Sequence, residues 1–254
     1  MNSRLTLTLC LVFALTPTKA QTDTIVSLHA TDINDTGRYS IEMLSEDLNM
    51  LFLRGPNGMT LDSLVFEDPV QFDEATLLAG SFLAVEERIR IGTGQAIHNA
   101  SLYVIQNARF RCAFGFSSLL SESTWDPPPY LASSDKGDCT ARQYSVTLDT
   151  TEFTLQHPII VLRERRDFEW RNANGKLSHD IDSCVTRLEY NYGFGLFVSH
   201  LGNALDSDSK HEHSVIPSQS DSSRFIVHIC WQTLRLVNGR WVNTFSTRPW
   251  PVDY

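Results

Sequence analysis

Phe225-Ile226-Val227-His228-Ile229-Cys230-Trp231-Gln232-Thr233-Leu234-Arg235-Leu236-Val237, then Asn238-Gly239, then Arg240-Trp241-Val242-Asn243-Thr244-Phe245, is the stretch that decides the fold. The first run is apolar and β-branched, as a strand requires. Asn-Gly followed by a second such run signals a two-residue hairpin, because both central residues of that tight turn need positive φ.

The same punctuation recurs upstream. Asn174-Gly175 sits between the polar and aromatic flanks of Glu169 to Ile181 and predicts a second hairpin. Arg54-Gly55-Pro56-Asn57-Gly58 joins Leu48 to Leu53 with Met59 to Phe66 as a third, although Leu44, Leu48, Leu51 and Phe52 also fit one face of a short helix. Arg38 to Met43 and Phe82 to Ile91 alternate polar with apolar, and Ile25 to His29, Tyr144 to Leu148 and Phe153 to Arg163 add further strand runs. Leu102 to Phe116 reads as one strand, with Phe110, Cys112, Phe114 and Phe116 on one face and Arg109 and Arg111 on the other. Gly193 and Gly195 suggest a bend within Val185 to His200. With no internal repeat, the expectation is an all-β chain: one antiparallel β-sandwich of jelly-roll type over 21–254, with roughly ten to fourteen strands and little helix.

Two long polar stretches interrupt the strands. Ser117 to Arg142 contains Asp126-Pro127-Pro128-Pro129-Tyr130, which cannot sit inside a sheet, and Gly202 to Arg224 carries too little apolar side chain to be ordered by burial. Both read as loops.

The N-terminus combines Arg4, an uncharged run from Leu5 to Leu15 and the small-residue end Thr18-Lys19-Ala20. That is the pattern of a signal peptide over 1–20, cleaved after Ala20, and its apolar part is shorter than the ~20 residues a membrane helix needs. No other run is long enough to span a bilayer, so a secreted, extracellular protein is expected. The chain has 21 basic and 30 acidic residues, and loss of Arg4 and Lys19 moves its net charge from −9 to −11. An acidic chain without a basic run lacks the counter-charge that phosphates require, which disfavours a nucleic-acid partner.

Cys10 leaves with the leader, and Cys112, Cys139, Cys184 and Cys230 remain. An even number in an oxidising compartment implies two disulfides, and pairing Cys112 with Cys139 and Cys184 with Cys230 closes each of the two polar loops. The sequons Asn34-Asp35-Thr36 and Asn99-Ala100-Ser101 predict N-glycans at Asn34 and Asn99, both in turn or loop settings.

No catalytic motif stands out. There is no Gly-x-Ser-x-Gly elbow, and His157 and His228, in apolar strands, suit the core better than a catalytic role. Asp206, Asp208, His211, Glu212 and His213 match neither helical zinc spacing nor a calcium loop, so no metal and no cofactor are expected. Trp231 and Trp241 are expected in the core. Trp125 and Tyr130, in the polar loop, are the candidate binding residues, because flat aromatic rings stack on the apolar side of sugars. These features predict a non-enzymatic, disulfide-bonded, N-glycosylated binding protein, adhesin- or effector-like, for an extracellular carbohydrate or protein surface. The alternative is a secreted polysaccharide hydrolase or lyase drawing paired carboxylates from Glu42, Glu67, Asp68, Asp73, Glu74, Glu86 and Glu87.

Overall fold

The computed structural model describes residues 26–35, 37–43, 49–67, 70–71, 77–90, 95–122, 139–171, 174–199, 216–217, 225–237 and 240–244. The candidate leader, Trp125, Tyr130 and the His211-Glu212-His213 cluster lie outside these residues. The described part is all-β, with antiparallel strands and no helix among the described residues.

Three sheets form. The first is β1 (Val26–Thr31), β2 (Arg38–Met43), β3 (Met50–Arg54) and β4 (Thr60–Val65). The second, large sheet runs from β5 (Val70–Gln71) and β6 (Leu77–Leu78), both paired to β7 (Phe82–Arg90), through β8 (Gln95–Gln106), β9 (Arg109–Glu122) and β10 (Cys139–Asp149). It continues through β11 (Ile159–Arg171) and β12 (Leu177–Asn191) to β13 (Leu196–Ser199). The third is β14 (Ile216–Pro217), β15 (Phe225–Ile229), β16 (Gln232–Val237) and β17 (Arg240–Thr244). Sequential strands are neighbours almost throughout, so the chain meanders. A jelly roll would need Greek-key crossovers, and none is present among the described strands.

The Gly-containing hairpins form as the sequence predicts. Gly58 and Gly175 both take φ +74°, and Val237 pairs with Arg240 across Asn238-Gly239. Leu51 and Phe52 are in β3, as the strand reading requires. The polar stretch from Ser117 to Arg142 is strand at both ends, in β9 and β10. His157, expected in an apolar strand, is exposed in the bend before β11.

Two turns carry no sequence signal. Leu102 to Phe116 breaks at Asn107-Ala108, whose φ values of 54° and 56° make the tight turn between β8 and β9. An alanine there is strained, and the buried Asp32 carboxylate holds it by accepting the N–H of Ala108 at 2.7 Å and that of Asn34 at 2.8 Å. Phe225 to Val237 breaks at Cys230-Trp231, between Ile229 and its partner Gln232.

The single-face reading of Phe110, Cys112, Phe114 and Phe116 is also broken, because Tyr103 pairs with Cys112 while Leu102 pairs with Phe114. The extra residue, Ala113, is a bulge, and it switches the side-chain alternation. Phe110 joins one core with Leu28, Ile41, Leu53 and Leu83, beneath the first sheet. Phe114 and Phe116 join the other, with Phe82, Leu102, Tyr144, Leu162 and Phe197. In that second core the ends of the large sheet converge: Phe82 on β7 meets Tyr190 on β12 at 5.0 Å and Phe197 on β13 at 5.9 Å, both edge to face. The large sheet therefore curls on itself, and Val227, Ile229, Trp231 and Leu234 of the third sheet pack into the curl.

Cys184 and Cys230 are disulfide-bonded, with Cα atoms 6.1 Å apart, as expected. The expected partner bond of Cys112 does not form, and Cys112 is a free thiol. The register explains this. Arg142 lies opposite Glu122, so the antiparallel course from there carries Cys139 away from Cys112, which sits about ten residues or roughly 30 Å back along β9. A disulfide needs Cα atoms within about 7 Å.

Candidate cleft between β4 and β17

Two walls are pinned to β9 a few residues apart. On one side Asp62 of β4 accepts the N–H of Phe110 through Oδ2 at 2.9 Å. On the other, Gln232 of β16 binds the main chain of Ser117, its Oε1 accepting the N–H at 2.9 Å and its Nε2 donating to the carbonyl at 2.9 Å. The hairpin partner of β16, β17, is thereby laid against β9. Gly115 permits this approach, since a Cβ there would stand only 3.0 Å from Cβ of Trp241.

The two anchors at Phe110 and Ser117 stand roughly 20 Å apart along β9, and between the walls they hold the large sheet floors a cleft of about 870 Å³. Pockets that take small ligands measure about 300–1,000 Å³. Its floor comes from Glu87 on β7, Asn99, Ser101 and Tyr103 on β8, and Cys112 on β9. Its walls are Val65, Phe66 and Glu67 on one side and Arg240, Trp241 and Val242 on the other. The rims thus carry opposite charges, Glu67 against Arg240, and two exposed valines. Trp241 is half-buried, set edge to face against Phe114 at 5.3 Å.

Tyr103 lines the floor from β8. Burial above all, then Cys112 and Glu87, raises its phenol well above the ordinary 10.0, while the Ser101 hydroxyl and Arg240 act in the opposite direction. The phenol therefore stays protonated and can donate a hydrogen bond into the cleft. Burial pushes the Cys112 thiol up to about 12, against a main-chain hydrogen bond from Phe114 that acts the other way, so it is no nucleophile at neutral pH.

Of the acids proposed for hydrolysis, Glu67 and Glu87 line this cleft. Glu42 instead pairs with Arg54 at 3.1 Å, and Glu86 with His98 at 2.8 Å and Ser118 at 3.1 Å. Asp68, Asp73 and Glu74, like Trp125 and Tyr130, are outside the described residues. No group of three or more His, Cys, Asp or Glu side chains suited to a metal occurs among the described residues.

The sequon asparagines differ in setting. Asn34 is exposed in a bend, its Nδ2 donating to Asn107 Oδ1 at 3.2 Å. Asn99 is not in a loop: it stands half-buried inside β8, opposite Glu87 and Ser117, and lines the cleft. Sequence reasoning missed the cleft because its walls lie well over 100 residues apart.

No protein-family model and no curated protein matches the chain. Among solved structures, MPT-1, a GDP-Man-dependent mannosyltransferase from Leishmania mexicana, aligns over 92% of this chain and 88% of its own, at 9% identity and a TM-score of 0.23. At that score the likeness carries neither fold nor function to this chain.

Proposed function

We propose that the protein is a secreted, disulfide-bonded binding protein for an extracellular carbohydrate, and that the cleft between β4 and β17 is where the sugar binds. The observation that carries this reading is the mixture of groups lining one cleft of suitable size. Trp241, Tyr103 and Phe66 offer aromatic surface, while Glu67, Glu87, Ser101 and Arg240 offer donors and acceptors around it. A pyranose needs both, an apolar ring for its C–H face and polar groups for its hydroxyls. Export is supported by the leader pattern of 1–20 and by the Cys184–Cys230 disulfide, which suits an oxidising compartment. The test is a glycan array probed with chain produced without N-glycans, beside Trp241→Ala and Tyr103→Ala. Binding that either substitution abolishes is expected, and binding that survives both would place the sugar elsewhere.

One observation favours a second reading, a polysaccharide hydrolase: Glu67 and Glu87 line the same cleft. Acid–base hydrolysis needs two carboxyl groups flanking the scissile bond. Incubation with each bound glycan distinguishes the two readings, since shortened products that Glu87→Gln abolishes would mark an enzyme.

A further inference from the structure

We propose that Asn99 carries an N-linked glycan whose innermost sugar lies in the cleft, so that the glycosylated chain is its own first ligand. This rests on reading the cleft as a sugar site and names an occupant for it.

Asn99 and Ser101, the two defining positions of one sequon, both line the cleft. Ser117 Oγ donates to Asn99 Oδ1 at 3.0 Å, which fixes the carboxamide and leaves Nδ2, the atom that takes the sugar, without a hydrogen-bond partner among the described residues. The β8–β9 register also shifts between His98 and Asn99, loosening the ladder at the acceptor. A sugar on Nδ2 has the cleft volume in front of it, with Trp241 and Tyr103 to stack on. Asn34 is the contrast within the same chain: exposed in its bend, it would send a glycan into solvent.

The modification requires a lipid-linked oligosaccharide diphosphate, supplied in the secretory route. Nδ2 forms a bond to C1 of the first N-acetylglucosamine as the bond from C1 to the diphosphate oxygen breaks. The lipid diphosphate leaves, and the Nδ2 proton passes to a base of the transferring enzyme. The transfer takes place on the extended chain, before β7 and β9 enclose β8, which is how an asparagine inside a sheet can be an acceptor.

The test uses the full chain secreted from a eukaryotic host, with glycopeptide mass spectrometry at Asn99 before and after N-glycosidase treatment of native and denatured protein. Expected is an occupied Asn99 whose glycan is released about tenfold or more slowly from the native fold than from the denatured chain, as a sheltered site requires. An unmodified Asn99, or release equally fast from both, overturns the proposal. The same sequence made in a bacterial periplasm, without glycans, is then titrated with N-acetylglucosamine oligomers. Tighter binding by this form than by the glycosylated one, whose own tethered glycan competes for the cleft, is expected, and equal binding by both overturns self-occupancy. A sheltered Asn99 glycan combined with no binding by the unglycosylated form would support the glycan's position and overturn the carbohydrate-binding reading alone.

Discussion

Gln232 binds the main chain of Ser117 in both directions, accepting its N–H and donating to its carbonyl at 2.9 Å each, 115 residues away in sequence. Its amide acts as one residue of a neighbouring strand would. The same Nε2 also donates to the Tyr144 hydroxyl, which in turn donates to Glu164 Oε2 at 2.8 Å. That carboxylate oxygen accepts the N–H of Trp231 at 3.1 Å, beside the Cys184–Cys230 disulfide. Polar bonds, a disulfide and the Arg166 guanidinium, 4.1 Å over the Trp231 ring, together hold the third sheet in the curl of the large one.

Gln232→Ala removes both contacts to Ser117 from a buried site. Loss of roughly 2–4 kcal/mol is expected from two such groups, read by chemical denaturation. Gln232→Glu keeps the shape but cannot donate to the Ser117 carbonyl when ionised, and it should be destabilised as well. A midpoint unchanged in both variants would mean that the amide bonds do not anchor β16.

Glu164 sets a pH dependence. Its carboxyl is almost fully buried, and burial raises its pKa from 4.5 to about 7, against hydrogen bonds from Tyr144, Trp231 and Cys230 and the charge of Arg166, all of which lower it. The folded state thus binds its proton more tightly than the unfolded chain, so its contribution is fully present below about pH 4.5 and is lost as pH rises through about 7. The loss is on the order of 3 kcal/mol once complete. Glu164→Gln cannot ionise, and its stability should be flat across that window. A wild type that gains stability between pH 5 and 8 would contradict this.

Asp32 holds a turn that its own residues do not favour. Asp32→Ala should cost about 2–3 kcal/mol, since two main-chain N–H groups lose a charged acceptor. Ala108→Gly should instead stabilise by up to about 1 kcal/mol, because φ of 56° strains alanine and not glycine. Thermal melts of both variants check the opposite signs.

The cysteines should be unequal. Non-reducing peptide mapping is expected to yield the linked peptides of Cys184 and Cys230 and no link between Cys112 and Cys139. Cys112, with its thiol pushed up to about 12, should resist alkylation at neutral pH until the protein is unfolded. Removing the disulfide by Cys184→Ala with Cys230→Ala should cost about 2–5 kcal/mol.

What could be read from the sequence, and what could not, divides on the range of the forces involved. Asn174-Gly175 and Asn238-Gly239 announce their turns, because the residues that tolerate positive φ are at the turn itself. Asn107-Ala108 and Cys230-Trp231 do not, because what imposes them is remote: Asp32 for the first, Glu164 and Cys184 for the second. The face of Phe114 was misread for a related reason, since a bulge at Ala113 shifts the two-residue period without leaving a glycine to mark it. The cleft is not legible in the sequence because Val65 and Val242 come to line opposite walls of it only once the first and third sheets are both placed on the large one. Sequence reasoning placed recognition at Trp125 and Tyr130, in a polar loop. Those two lie outside the described residues, among which Tyr103 and Trp241 bring aromatic surface to the cleft, Trp241 while also packing against the core as expected.

Calorimetric titration of unglycosylated protein with the best oligosaccharide from the array, for wild type and Trp241→Ala, tests the cleft most directly, with circular dichroism confirming that both are folded. Saturable binding by the wild type, weakened on the order of tenfold or more when the aromatic ring is lost, is the expected result. Equal affinity in both, or no heat with any glycan, would contradict a carbohydrate site between β4 and β17.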